Sequence, residues 1–186
     1  MPRIRAAQSL NALLALERLG VDERVFTRLR PGTLAAIQSA SPLGWLPIEL
    51  DIELAEAVVD ALGPNGGRAT ARAATLLSFE SLLLRFFVGV QKIFELEPAS
   101  LIAQAPWGWR AVYRDAGRMS YTISPGCERV LVYSEAPALV IENHVYLEAI
   151  AGAFEAIFEL CRVDGSVTVD AVEPTRGRAE LRFSWY

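Results

Sequence analysis

Residues Ala105–Gly117 read APWGWRAVYRDAG and mark the point where the chain changes texture. Upstream, apolar residues recur at spacings of three and four, the period of a helix face. Downstream of Pro106, β-branched and aromatic residues alternate with polar ones, the period of a half-buried strand. The reading is an α+β fold in one domain, residues 1–186. An N-terminal helical half (1–105) is followed by a β-β-α-β-β unit (106–186) with a mostly antiparallel sheet. The stretch also gathers Trp107, Trp109, Arg110, Tyr113 and Arg114. Two roles stay open for it. The tryptophans close the core where helices meet sheet, or they line a pocket for an amphipathic molecule whose acidic head the arginines would bind. Trp45 and Phe86 are further candidate wall residues.

Working back from the junction, the longest apolar stripe comprises Leu76, Phe79, Leu83, Phe86, Val90 and Ile93, widened by Leu77, Leu84, Phe87 and Phe94. It predicts a buried helix over about 68–95. Glu80, Arg85 and Lys92 interrupt every window long enough for a membrane span, so none is expected. Ile48, Ile52, Ala55, Val59 and Leu62 predict another helix, with Pro47 in its first turn and Gly63-Pro64 ending it. Its run of acids, Glu49, Asp51, Glu53 and Glu56, could hold a pair for general acid–base work, but Glu49, Glu53 and Glu56 fall on its polar face and a solvated face is expected. The opening MPRIRAAQSLNALLALERLG predicts an amphipathic helix with Leu10, Leu13, Leu14 and Leu19 on its stripe; it lacks the cleavage site of a signal peptide. Asp22 is read as the cap of a second, short helix, and TLAAIQSA follows Pro31-Gly32.

Downstream, RMSYTIS and CERVLVYSE predict a hairpin turning at Pro125-Gly126, and SVTVDAVE and RAELRFSWY predict a second pair of strands. Between them, residues 142–162 predict a helix capped by Asn143. Leu147, Ile150, Phe154, Ile157 and Cys161 form its buried stripe; Glu148, Glu155 and Glu159 face water; Asp164-Gly165 stops it. Gly152 in mid-helix signals a close backbone approach.

Composition narrows the function. The net charge of -4 gives no electrostatic footprint for nucleic acid. Lys92 is the only lysine among 18 basic residues, and that bias toward arginine reads as a GC-rich bacterial genome. Two cysteines, Cys127 and Cys161, and one histidine, His144, cannot make a zinc site, and a reduced, cytoplasmic protein is expected. LGPNGG near Gly63–Gly67 lacks the lysine and Ser/Thr of a P-loop. No nucleophile–base pair appears, so no enzyme, metal or cofactor is expected.

WLPIELDIELAEAV (Trp45–Val58), APWGWRAVYRDAGRM (Ala105–Met119) and the ending GRAELRFSWY (Gly177–Tyr186) fall in an order that resembles a myxobacterial paralogous family without an assigned activity. That family is distantly similar to the ligand-binding fold of NO signalling and Golgi transport, which includes heme-NO-binding sensors, 4-vinyl reductase domains and small TRAPP subunits. The resemblance covers nearly the whole chain. It implies a domain that senses a small molecule or serves as a scaffold. The heme sensors use an axial histidine and a Tyr-x-Ser-x-Arg clamp, whereas YTIS at Tyr121–Ser124 is followed here by Pro125. The cysteines of the 4-vinyl reductase pattern are replaced by Glu173 and Leu181, and the acylated cysteine of TRAPP subunits lies in the helical half, where this chain has none.

Two functions from different classes follow. The first is a non-enzymatic bacterial regulatory domain binding a small apolar or amphipathic molecule, in a cavity of ~300 Å³ or more between the long helix and the sheet. The second is a self-associating interaction module, a homodimer or a partner-binding scaffold, without ligand.

Overall fold

Helix periodicity translates into helices through most of the first half. The computed structural model describes residues 1–80, 97–124 and 128–186. Helices α1 (Ala6–Leu19), α2 (Asp22–Phe26), α3 (Pro31–Gln38), α4 (Ile48–Leu62), α5 (Pro64–Glu80) and α6 (Pro98–Val112) precede the main sheet. The stripe from Leu83 onward, Phe86 included, lies outside the described residues, as do Pro125, Gly126 and Cys127.

Several boundaries differ from the sequence reading, each for a physical reason. The first residues are a strand, β1 (Arg3–Arg5), before α1 begins. It pairs antiparallel with β2 (Trp45–Pro47) and β3 (Tyr113–Arg114), in the order β2-β1-β3. Alternation buries Ile4 and Leu46, while Arg3 stays exposed and Arg5 and Trp45 half-buried. On α1 the buried leucines are Leu13 and Leu16, beside Ala6, Ser9 and Ala15, and Leu14 and Leu19 are exposed. Asp22 is the first residue of α2, not its cap, and Pro47 precedes α4. Gly63, at φ +79°, ends α4, and Pro64 opens α5 directly, as suits proline at a first helical position.

The junction itself is helical: α6 runs through Pro106 to Val112. Proline forfeits a hydrogen bond there, but the seven-residue spacing of Ile102 and Trp109, both buried, ties the helix to the core on either side of it. Tertiary burial outweighs local propensity.

The second half follows the expected order. Strands β4 (Arg118–Ile123), β5 (Arg129–Ser134), β6 (Gly165–Glu173) and β7 (Arg178–Trp185) form an antiparallel sheet in the order β4-β5-β7-β6. A short α7 (Ala138–Ile141) leads to α8 (His144–Cys161). The Asn143 side chain accepts the Tyr146 N–H at 2.9 Å, and α8 ends at Arg162 in the left-handed region, ahead of Asp164-Gly165. Leu131, Tyr133, Leu181 and Phe183 of the sheet pack on Leu147, Ile150 and Phe158 of α8 and on Trp109.

Helix α5 crosses α8 closely at Gly152, where an added Cβ would stand 2.6 Å from the Arg68 carbonyl oxygen. The Arg68 guanidinium bridges Glu148 at 2.7 Å and Glu155 at 2.5 Å, and donates to the Val167 carbonyl at 2.9 Å. Glu148 and Glu155 therefore face α5 and not water, because a cation 80 and 87 residues away meets them. Glu159 is more exposed and lies 3.7 Å from Arg72. Among the described residues no helix is long and apolar enough to cross a membrane.

Candidate functional site

Helix α4 buries Ile48 and Ile52, and Asp51 stands between them on the same side. Position 51 is three beyond Ile48 and four before Ala55, so the helix carries its carboxylate inward. Asp51 Oδ1 accepts from Ser9 Oγ at 2.6 Å, and Oδ2 accepts from the Tyr146 hydroxyl at 2.7 Å. Ser9, from α1, is fully buried, as nearly is Tyr146. The Tyr146 and Tyr113 hydroxyls are 3.5 Å apart. Three separate elements thus converge on one acid, and among the described residues no cation faces it.

The consequence is electrostatic. Burial raises the Asp51 pKa above its ordinary value, and the two hydroxyl donors only partly oppose this. Burial first, and the nearby Asp51 charge second, raise the pKa of both Tyr113 and Tyr146, so these phenols stay protonated. The cluster holds hydroxyls against a carboxylate with no imidazole, which is not the nucleophile–base–orienter arrangement of acyl transfer.

Beside the cluster is a pocket of about 60 Å³ between α1, α4, α5 and α8. Asp51, Thr70, Tyr113, Tyr146 and Gln8 give it polar groups; Ala12, Ala71, Ala74, Ala149 and Ala153 give it a wall of methyls. Thr70 is 4% exposed, and among the described residues its Oγ1 has no hydrogen-bond partner. Its neighbours on α5 behave differently: Thr75 donates to the Ala71 carbonyl at 3.0 Å and Ser78 to the Ala74 carbonyl at 3.1 Å. A buried hydroxyl left unpaired costs about 1–3 kcal/mol, and none of the described residues relieves that cost.

The sequence candidates take different places. Tyr113 lines the pocket. Trp109 backs it: its ring stacks on Tyr113 at 3.9 Å and meets Tyr133 edge-on at 4.8 Å, and its Nε1 donates to the Gly117 carbonyl at 3.3 Å. Trp107, two residues away on the helix, is 62% exposed, and Arg110 is exposed too. Trp45 lies on the small sheet with the guanidinium groups of Arg5, at 3.8 Å, and Arg114, at 4.6 Å, over its ring. Phe86 is outside the described residues. Ser9, Thr70 and Tyr146 are not among the sequence candidates, and Asp51 enters only as one acid of a run. An acid on an apolar stripe was the available signal for Asp51; nothing local marks the other three. A wider groove of about 450 Å³ lies on the surface, and two of its acids are engaged. Glu53 pairs with Arg30 and accepts from Thr33, and Glu56 accepts from Asn143 at 2.7 Å.

No family model matches the chain, and no curated protein matches it in sequence. Solved structures do match in fold. The Fe(II) unliganded A71G mutant H-NOX protein from K. algicida superposes with a TM-score of 0.66 at 11% identity, covering 98% of this chain and 97% of its own. The S. oneidensis H-NOX protein in the Fe(II)NO state gives 0.64 at 11% identity, over 97% and 98%. An oxygen-binding H-NOX domain related to soluble guanylate cyclases gives 0.64 at 11% identity, over 98% and 95%. The chain has the H-NOX fold, as the resemblance to heme-NO-binding domains implied.

Heme is the group this fold brings to mind, and the described residues do not fit it. The pocket beside Asp51 is about 60 Å³, against the ~300 Å³ or more that even drug-sized ligands occupy. His144 is the only histidine; its side chain is 78% exposed at the start of α8, with Nε2 3.9 Å from Glu148. It projects into solvent, not into the interior where an axial ligand would be required. Among the described residues no cluster of His, Cys, Asp and Glu could hold a metal ion.

Proposed function

We propose that the chain is a non-enzymatic, cytoplasmic regulatory domain that binds one small amphipathic molecule beside Asp51, Thr70, Tyr113 and Tyr146. The observation that carries this is the Thr70 hydroxyl, buried and without a partner among the described residues, on a pocket that also presents the Asp51 carboxylate. Buried polar groups without partners are rare in folded proteins, and a bound molecule supplies the missing bond. One polar side and one wall of alanine methyls match an amphipathic ligand. The pocket joins α1, α4, α5 and α8, so occupancy is felt by several elements at once, which is what a regulatory domain needs. The H-NOX fold supports the sensor reading by analogy.

Native mass spectrometry of the gently purified chain tests it. A small adduct is expected on the wild type and is expected to disappear in Ala153→Leu, which fills the pocket, provided the variant keeps its circular dichroism. An adduct that survives the substitution, or a wild type that binds no small molecule, contradicts the proposal. Self-association is a second reading, favoured by Trp107, a large aromatic left 62% exposed on α6. A concentration-stable dimer lost in Trp107→Ala would support it; a strict monomer in sedimentation would count against it.

A further inference from the structure

The Asp51 carboxylate receives hydrogen bonds from two neutral hydroxyls, Ser9 and Tyr146, at 2.6 and 2.7 Å. An ionised carboxylate is an acceptor only, and two converging O–H donors are the complement of that form. Buried ionised groups are ordinarily paired with an opposite charge. Three partly buried acids elsewhere follow that rule: Glu148 and Glu155 share Arg68, and Glu53 has Arg30. Among the described residues Asp51 has no such partner, and none of the residues lining the adjoining pocket is cationic.

We infer that the pocket's ligand is a compact primary ammonium of one or two carbons, with Asp51 as its counter-ion. This rests on reading the pocket as a ligand site. An –NH₃⁺ group carries three donors and no acceptor. The pocket offers acceptors to match: the Asp51 carboxylate, the Thr70 Oγ1 left without a partner among the described residues, and the phenol oxygens of Tyr113 and Tyr146. Ala12, Ala71 and Ala149 supply the apolar surface that a short alkyl tail would cover. A bare hard cation is a poorer fit, because it takes about six or more oxygen ligands and meets methyl groups over much of this lining. Size agrees as well. A cavity of ~150 Å³ holds benzene, so by proportion about 60 Å³ holds on the order of two or three heavy atoms.

Thermal shift of the full chain at constant ionic strength separates the alternatives, with methylammonium chloride as probe, potassium chloride as the inorganic cation and methanol as the neutral match. The expected result is saturable stabilisation by methylammonium alone, with butylammonium at least tenfold weaker. Asp51→Asn, close in shape, is expected to weaken the response at least tenfold, and Thr70→Val severalfold. Equal saturation by methanol, or an undiminished response in Asp51→Asn, would overturn the ammonium class while leaving the pocket as a ligand site. Equal saturation by potassium would make the ligand an inorganic cation and overturn it too. Silence toward every probe, together with no adduct mass on the purified chain, would overturn both readings.

Discussion

Two carboxylates stand two residues apart on α4 and meet opposite surroundings. Glu53 turns to the surface, pairs with Arg30 and accepts from Thr33, and the Arg30 hydrogen bond above all holds its pKa at about 2. Asp51 turns inward, accepts from the neutral hydroxyls of Ser9 and Tyr146 and from no cation among the described residues, and is pushed up by burial. At ~3.6 residues per turn, a step of two moves a side chain to a different face, so neighbours in sequence belong to different environments. The first acid is completed by the protein's own cation. The second is left incomplete beside a pocket, and incompleteness of this kind concentrates where proteins bind and react. Helix α6 repeats the lesson with tryptophans: Trp109 is held by two aromatic rings and Trp107 by none among the described residues.

The largest effect is expected from the tryptophan pair. Trp109→Ala should destabilise by ~4 kcal/mol in chemical denaturation, and Trp107→Ala should stay within ~0.5 kcal/mol, as exposed positions usually do. Equal losses would break the distinction between the two faces of α6. Next comes the completed ion cluster. Arg68→Ala strands two half-buried acids, Glu148 and Glu155, and should cost ~3 kcal/mol by thermal unfolding. A negligible loss would show that the cluster is no more stabilising than a surface pair.

The two α4 acids should then respond to pH with opposite signs. Glu53 has its pKa lowered by folding from 4.5 to about 2, so its contribution is present above pH 4.5 and is lost as pH falls toward about 2. Asp51 has its pKa raised above 3.8, so its ionised form destabilises the fold, and acidification toward 3.8 relieves that penalty. Glu53→Gln should cost ~1 kcal/mol at neutral pH and remove the acid loss; Asp51→Asn should remove the acid gain. Stability curves across this range for the two variants check both signs, and a common sign would erase the contrast. The smallest effect belongs to Thr70→Val, expected to match or exceed wild type by up to ~1 kcal/mol without ligand, because the buried hydroxyl removed has no partner among the described residues and its desolvation penalty goes with it. A loss above 1 kcal/mol would reveal a bond to Thr70 in solution.

Much of this fold is written in periodicity. The alternation of Val167 and Val169 and the stripe of Leu147, Ile150 and Ile157 correspond directly to β6 and α8. The small sheet was not legible, because three-residue strands such as Arg3–Arg5 are too short for a period, and their partners lie about 40 and 110 residues away. Pro106 suggested a boundary that burial of Ile102 and Trp109 overrides. For the site, Tyr113 was singled out among the aromatics of the junction. Asp51 was passed over in a run of acids, although its spacing from Ile48 and Ala55 sets it apart from Glu49, Glu53 and Glu56. Ser9, Thr70 and Tyr146 acquire meaning only when α1, α5 and α8 are brought together, and no local pattern encodes that meeting.

The most direct test is the unfolding free energy of Asp51→Asn at neutral pH without added ligand. If Asp51 is kept for binding, the variant should equal or exceed the wild type in stability, since the desolvation penalty of an unpaired carboxylate is removed. If the carboxylate is instead a structural anchor for Ser9 and Tyr146, the variant should lose about 2 kcal/mol or more, and the assignment of this corner to ligand binding would be contradicted.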